Sequence, residues 1–204
     1  MEKLIKYEKI FIFFSVIPFT YLAYVRFPHI FNSFPVLASF VNNTLIVLFT
    51  LIRFKPVDVT LSWRDWIMTI FANASAFLPL LLGSDGIQII STTQSGFISL
   101  LSLFLMLLAR FQMGRNIGFV PAKRRKIVQG SVYRIVRHPI YTSVTLNLLS
   151  WLLIRFSLTN FCITLVIIFL FCLLAYHEEK YLMKFPEYVS YTEKVKYRFI
   201  PFVI

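Results

Sequence analysis

Long apolar blocks make up most of this 204-residue sequence, and they contain almost no charged residues. A helix needs roughly 20 apolar residues to cross the hydrocarbon core of a bilayer. Apolar residues form 58% of the chain and its mean hydropathy is +0.73, well above the balance of a soluble domain. We therefore predict an all-α, polytopic membrane helical bundle of about six transmembrane helices, forming one membrane domain over 1–204. The predicted spans are 9–25, 36–53, 65–82, 95–112, 139–156 and 158–176.

The formal net charge of +12 comes from basic residues placed at the ends of these blocks. This placement indicates membrane topology and contact with anionic lipid, and not nucleic-acid binding. If the N-terminus is cytoplasmic, every one of the 21 Lys and Arg residues except Arg26 and Arg155 lies on the cytoplasmic side. Because basic loops are retained there, we expect a multi-pass protein with both termini in the cytoplasm. No small-residue cleavage pattern follows the first block, so we expect that span to remain uncleaved.

The two cysteines give no sign of a disulfide or a metal site. Cys162 and Cys172 lie ten residues apart within one apolar block. Two cysteines so placed on one helix cannot pair with each other. Neither has a neighbouring metal-ligand residue, so we predict apolar packing roles and no metal.

The last two apolar blocks predict a helical hairpin. Pro139 favours the first turn of a helix, and Ser157 alone separates the two blocks, so the helices must run antiparallel. Each leg is 19 residues long, or about 29 Å at the α-helical rise. The chain therefore returns to the depth at which it left, and we expect His138 to lie beside Glu178 and Glu179.

The adjacent glutamates require a cationic partner. They lie near the C-terminal end of a predicted helix, where the helix dipole already places negative charge. Arginines of the loop before the hairpin would serve, and so would a bound sulfonium or ammonium. A structural ion pair and a ligand site both explain the pattern.

The C-terminal tail carries a one-sided apolar pattern. Phe185, Tyr188, Tyr191, Val195 and Phe199 recur at steps of three and four residues, which predicts an amphipathic helix. Such a helix usually lies flat on the membrane surface.

The sequence after residue 112 resembles the isoprenylcysteine carboxyl methyltransferase and phospholipid methyltransferase family of integral membrane enzymes. An Arg-His-Pro-x-Tyr motif, a hairpin and a Glu-Glu-x-x-Leu motif occur in that order, and the resemblance extends over about 100–202. It divides the domain into N-terminal helices, 1–112, and a cofactor-binding half, 113–204. The segments that carry it are 113–122, 126–134, 136–141 and 178–182, followed by Phe185, Tyr188, Tyr191, Ile200 and Pro201.

The resemblance implies a methyltransferase that uses S-adenosyl-L-methionine on a lipophilic acceptor among the membrane lipids. It also implies that the tail covers the cofactor. The implied cofactor-binding residues are Lys126, Ile127, Val128, Tyr133, His138, Pro139, Ile140, Tyr141, Glu178 and Glu179. The implied catalytic residues are Arg137, His138 and Glu178, and the implied substrate residues are Arg115 and Asn116.

One segment departs from the family pattern. Prenylcysteine enzymes carry an arginine one turn before the acidic pair, where it meets the substrate carboxylate. Here the segment reads Leu174-Ala175-Tyr176-His177. The resemblance therefore does not extend to a prenylated-cysteine substrate.

Two other classes of function remain open. Membrane sterol or isoprenoid reductases that use NADPH have a similar C-terminal arrangement, and the basic run 123–126 would suit a phosphate. A transporter would need polar or charged residues near mid-membrane, and the spans offer chiefly Asn73 and Asn147. The soluble methyltransferase fold does not apply, because the chain has no glycine-rich strand-to-helix turn.

Overall fold

The structure is a computed structural model that describes residues 16–118 and 120–203. Most of the described chain is helical, and the longest connection between its helices α1 to α8 is 114–138, between α5 and α6. Their bounds are 16–26 (α1), Phe34–Ile52 (α2), Trp63–Ala74 (α3), Leu78–Leu81 (α4), Thr92–Met113 (α5), Pro139–Ile154 (α6), Leu158–Leu182 (α7) and Pro186–Lys194 (α8). Residues 9–15 of the first predicted span lie outside the described residues.

Local sequence signals explain where several helices begin. Pro35, Pro139 and Pro186 each lie in the first turn of a helix, where the fixed φ of proline suits the helix and its missing N–H costs nothing. Ser91 and Gln94 form a reciprocal capping box at the start of α5, which satisfies two backbone N–H groups that have no partner within the helix.

Within residues 16–118 and 120–203, three helices are long and apolar enough to cross a membrane: α2, α5 with the 3-10 turn that follows it, and α7. The predicted all-α membrane bundle is therefore confirmed. The helix α6 is apolar but shorter. The third predicted span is divided into α3, a 3-10 turn at Ser75–Phe77, and α4. Pro79 lies in α4 and cannot donate a backbone hydrogen bond to the preceding turn, which accounts for the break.

Serine hydroxyls connect α5 to α6. The Oγ atom of Ser150 lies 2.8 Å from the Oγ atoms of both Ser95 and Ser99, and Ser102 Oγ donates to the Ser143 carbonyl at 2.6 Å. Small residues let helix backbones approach closely in a membrane, and their hydroxyls bond across the contact. These bonds join the first half of α5 to α6, and the antiparallel packing of the two helices brings Ile140 of α6 against the cluster around Ala109 near the end of α5, where the site is built.

A two-stranded antiparallel sheet, not predicted from the sequence, joins the connections after α2 and α5. The strands are Asp58–Val59 (β1) and Ala122–Lys123 (β2), with Asp58 opposite Lys123. Strands of two residues are too short to show the alternation of apolar and polar residues that predicts a strand from sequence, so they are recognised only in the structure. The sheet fixes the basic segment after α5 beside the bundle.

Candidate active site

The predicted hairpin is present. The helix α6 ends at Ile154 and α7 begins at Leu158, with Ser157 accepting a hydrogen bond from the backbone of Asn160. The His138 ring and the Glu179 carboxylate meet, with 3.0 Å between Nε2 and Oε1. The hairpin therefore returns the acidic pair to the level of the histidine, as predicted.

Glu179 lies at the centre of a buried ionic cluster. Its side chain is only 8% exposed, and its Oε2 atom lies 3.3 Å from Arg137 Nη1 and 3.0 Å from Arg198 Nε. Oε1 is occupied by His138. The predicted need for a cationic partner is confirmed for this glutamate. A buried charge is tolerated when it is paired and hydrogen-bonded in this way.

The tail after α8 is bonded to the start of α6. The backbone N–H groups of Arg137 and His138 donate to the carbonyls of Tyr197 and Arg198, each at 2.9 Å. Thr142 Oγ1 donates to the Phe199 carbonyl at 2.8 Å. These bonds and the Glu179 cluster hold the tail across the open end of the hairpin.

Glu178, the neighbouring acid, has different surroundings. Adjacent residues on an α-helix point about 100° apart, and Glu178 accepts a hydrogen bond from the Tyr141 hydroxyl at 3.1 Å. The Tyr141 ring stacks between His138, at 5.4 Å, and Phe171, at 5.5 Å between centroids. This stack fixes the tyrosine that orients the Glu178 carboxylate.

A partly enclosed cavity of about 180 Å³ lies beside these residues. Most of the residues that the sequence assigned to a site line it. These are Asn116, Lys126, Ile127, Val128, Tyr133, Arg137, His138, Pro139, Ile140, Tyr141 and Glu178. The hairpin, the loop after α5 and the end of α5 therefore bring the predicted residues to one place.

Two predicted site residues lie outside the described lining of the cavity. Glu179 points into the ionic cluster with Arg137, His138 and Arg198. Arg115 is exposed, donates from Nε to the Ile52 carbonyl at 2.6 Å, and lies over the Phe54 ring. Neither side chain is among the described cavity lining, although Glu179 bonds to Arg137 and His138, which do line the cavity.

The tail helix forms one wall of the cavity. Tyr188 and Tyr191 of α8 are buried and line it, and the Tyr191 hydroxyl donates to the Tyr133 carbonyl at 2.7 Å. Burial raises the pKa of the Tyr191 hydroxyl above its ordinary range, so Tyr191 remains a neutral donor. The helix α8 ends at Lys194, before Val195 and Phe199 of the predicted amphipathic pattern, and two residues of the predicted apolar face, Tyr188 and Tyr191, are turned onto the cavity.

The N-terminal helices also reach the cavity, which the sequence analysis did not foresee. Thr50 of α2, Asn73 of α3 and Arg110 of α5 line its inner part. A signal existed for Arg110, because an ionisable residue within an apolar span is by default a functional candidate. Because Arg110 lies near the end of a predicted span, the sequence analysis counted it among the basic residues that indicate the cytoplasmic side of the membrane.

Arg110 is a buried cation without an acidic partner among the described residues. Its side chain is 4% exposed, Nη2 donates to Asn42 Oδ1 at 2.9 Å, and Nε has no described partner. Burying an ion costs several kcal/mol. Arg110 lies in the last turn of α5, where the helix dipole stabilises a cation. This stabilisation offsets about 0.3–1 kcal/mol, and at most ~2 kcal/mol, of the cost of burial. Within the described chain, the protein does not fully balance this charge.

Tyr133 supplies a second unpaired polar group. It is 3% exposed, and its hydroxyl has no hydrogen-bond partner in the described chain. Burial raises the pKa of this hydroxyl well above its ordinary value, while the positive charge of Arg110 acts in the opposite direction. Tyr133 and Arg110 are therefore electrostatic neighbours at the cavity.

No cluster of three or more His, Cys, Asp or Glu side chains that could hold a metal occurs in residues 16–118 and 120–203.

Comparison with known proteins gives one family match. A family model described as phospholipid methyltransferase matches residues 95–185, which include α5, the loop after it, the hairpin and both glutamates. No curated protein matches the chain significantly. Residues 95–185 are therefore similar to the phospholipid methyltransferase family, in agreement with the resemblance of the sequence motifs to integral membrane methyltransferases.

Proposed function

We propose that this protein transfers a methyl group from S-adenosylmethionine to a lipophilic acceptor at the cytoplasmic face of a membrane. The observation that carries the proposal is the cavity at the open end of the hairpin, where Glu178, Tyr141 and His138 converge within the matched domain. Similarity to a methyltransferase family and membrane-spanning helices supply the general class. The cofactor, the face of the membrane and the roles of single residues are parts of the proposal.

The residues around the cavity suit this cofactor chemically. A sulfonium is a cation, and the cavity offers the Glu178 carboxylate beside the rings of Tyr141, Tyr133 and Phe171. Carboxylates and aromatic faces both attract cations. Tyr133 Oη and Asn116 Oδ1 are buried without a described partner, so one donor and one acceptor remain for polar groups of a ligand.

The size of the cavity is also compatible with binding of this cofactor. Its volume of about 180 Å³ is below the roughly 300–1,000 Å³ of ordinary ligand sites. Because the cavity is only partly enclosed, a bound ligand can extend beyond this volume.

The chain's own residues bind and orient the reactants. When bound, S-adenosylmethionine supplies an electrophilic methyl group attached to a positively charged sulfur. Glu178 holds the cationic part of the ligand, Tyr141 fixes that carboxylate, and Lys126, Ile127 and Val128 form the opposite wall. Such catalysis needs alignment of the reactants more than a strong base.

Arg137 and His138 act as positioning residues. The Nε2 atom of His138 is occupied by Glu179, and Arg137 shares the same carboxylate. Neither group is free to take a proton from the acceptor in this arrangement. Their part is to hold Glu179 and the tail so that α8 excludes water from the cavity.

The experiment for this proposal compares two cofactors. The purified protein in phosphatidylcholine nanodiscs is titrated with S-adenosylhomocysteine and, separately, with NADPH, and binding is measured by calorimetry. We expect saturable binding of S-adenosylhomocysteine and none of NADPH. Binding of NADPH alone would replace the proposal with the reductase alternative, and binding of neither would overturn it.

A second measurement addresses the acceptor. Membranes containing the protein are incubated with S-adenosylmethionine carrying a radiolabelled methyl group, and the lipid extract is analysed. We expect label in a lipid product, and membranes with the Glu178→Gln variant serve as the control.

A further inference from the structure

One cation that lines the cavity, Arg110, has no acidic partner in the described chain. Arg110 lines the cavity, and its Nε–H group has no partner in the described chain. Its one described hydrogen bond goes to the neutral amide oxygen of Asn42. A guanidinium is well suited to bind a carboxylate or phosphate, because its donors match the geometry of those oxygens.

A second donor lies beside it. The buried Tyr133 hydroxyl also lines the cavity and has no described partner. Buried donors in proteins are nearly always paired. Two unpaired, buried groups on one cavity therefore indicate a ligand atom that accepts hydrogen bonds.

The opposite charge lies elsewhere on the cavity wall. Glu178 is bonded to Tyr141 and forms no described ion pair with Arg110. The charged residues around the cavity thus include Arg110 and Glu178, which form no described ion pair with each other, beside the cations Arg124, Lys126 and Arg137. A ligand with both a positive and a negative group would satisfy both.

We propose that Arg110 and Tyr133 form an oxyanion-binding subsite that receives a carboxylate or phosphate oxygen of a ligand in the cavity. The inference rests on the proposed function in one respect, namely that the ligand is the cofactor or the methyl acceptor. The oxyanion then has two sources, which are the amino-acid carboxylate of the cofactor and an anionic group of the acceptor. The same side chains would bind either.

The test uses pairs of ligands of which only one member carries an oxyanion. S-adenosylhomocysteine carries a carboxylate, and 5′-methylthioadenosine shares its adenosyl thioether group but lacks both the carboxylate and the ammonium of the amino-acid part. Oleate and oleyl alcohol form the corresponding lipid pair. Binding of all four is measured on the full-length protein in phosphatidylcholine nanodiscs, for the wild type and for Arg110→Met, Arg110→Lys and Arg134→Gln. Arg134 is an exposed arginine outside the cavity lining, so its variant is the matched control.

Three results are decisive. If the cofactor supplies the oxyanion, Arg110→Met weakens S-adenosylhomocysteine by about 10- to 100-fold and leaves 5′-methylthioadenosine unchanged. If the acceptor supplies it, Arg110→Met removes binding of oleate and spares oleyl alcohol. In both cases Arg110→Lys retains part of the affinity and Arg134→Gln has no effect. The proposal would be overturned if Arg110→Met changed the affinity for both members of each ligand pair equally, or changed the affinity for none of the four ligands.

The ligand-free protein separates a binding role from a structural one. An unbalanced buried charge destabilises the empty protein, so Arg110→Met should melt at or above the wild-type temperature without ligand. A large fall in melting temperature would assign Arg110 to folding and contradict the subsite. A wild type that binds neither adenosyl ligand would refute the proposed function, while the oleate pair would still test Arg110.

Discussion

The Nε2 atom of His138 lies 3.0 Å from Oε1 of Glu179, although the two residues are 41 positions apart in the sequence. The contact joins the first turn of α6 to the last turns of α7. It also joins the tail, because Arg198 binds the same carboxylate. One buried glutamate therefore holds together three elements around the cavity.

Replacing Glu179 with glutamine should destabilise the protein. Arg137, His138 and Arg198 would lose their shared carboxylate, and removing one partner of a buried ionic group costs about 3–5 kcal/mol. We expect a clearly lower melting temperature and faster proteolysis after Lys184. The matched control is Glu187→Gln, since Glu187 is 59% exposed in its pair with Lys123 and exposed pairs contribute about 0–1 kcal/mol. Equal stability of the two variants would contradict this role.

Removing the Tyr141 hydroxyl should affect ligand binding more than stability. In Tyr141→Phe the ring can still stack between His138 and Phe171, but Glu178 loses its described hydrogen bond. A hydrogen bond to a charged group contributes about 1.5–3 kcal/mol. We expect S-adenosylhomocysteine to bind more weakly, as measured by calorimetry, at a nearly unchanged melting temperature. A large loss of stability without a change in affinity would argue against this positioning role.

Truncation after Lys184 should remove binding of S-adenosylhomocysteine. It deletes Tyr188 and Tyr191 from the cavity wall and the carbonyls that bond to Arg137 and His138. Truncation after Pro201 is the control, because it keeps 197–199 and both tyrosines. Unchanged affinity in the longer deletion would show that α8 does not cover the ligand.

Gly86→Ala should destabilise the turn of the hairpin without altering the cavity. Ile87 and Phe156 exchange two backbone hydrogen bonds of 2.9 Å, and a Cβ atom on Gly86 would lie 2.4 Å from the Phe156 carbonyl oxygen. Backbone atoms cannot move aside easily, and overpacking of this kind costs about 1–3 kcal/mol. We expect a lower melting temperature with unchanged affinity for S-adenosylhomocysteine at low temperature. Gly114→Ala offers a contrast, because its added Cβ meets nothing within 4 Å and only its φ of +51° causes strain.

The sequence was sufficient to predict the hairpin and the meeting of His138 with the acidic pair. The length of the connection between the last two apolar blocks and the rise per residue of an α-helix determine both features. Neither feature depends on how individual side chains pack. The sequence could not decide which glutamate faces the cavity. Two neighbours on one helix differ by about 100° in direction, and only the packing of α7 shows that Glu178 faces the cavity and Glu179 faces Arg198.

Contacts between distant segments account for what the sequence analysis missed. Arg110 reaches the cavity because the serines of α5 and α6 bring those helices together, which no local pattern reveals. The strands β1 and β2 are two residues long and pair Asp58 with Lys123 and Val59 with Ala122, residues far apart in the sequence. The count of about six spans came from hydropathy and from the placement of the basic residues, whereas three helices in the described part of the chain meet the requirements of both length and composition.

The central claim is that Glu178, held by Tyr141 at the open end of the hairpin, binds the cationic part of the cofactor. The most direct test is the dissociation constant of S-adenosylmethionine for Glu178→Gln, measured against the wild type by calorimetry in phosphatidylcholine nanodiscs. The account predicts affinity weaker by about 10- to 100-fold, with a melting temperature close to that of the wild type. An affinity equal to the wild-type value would contradict it.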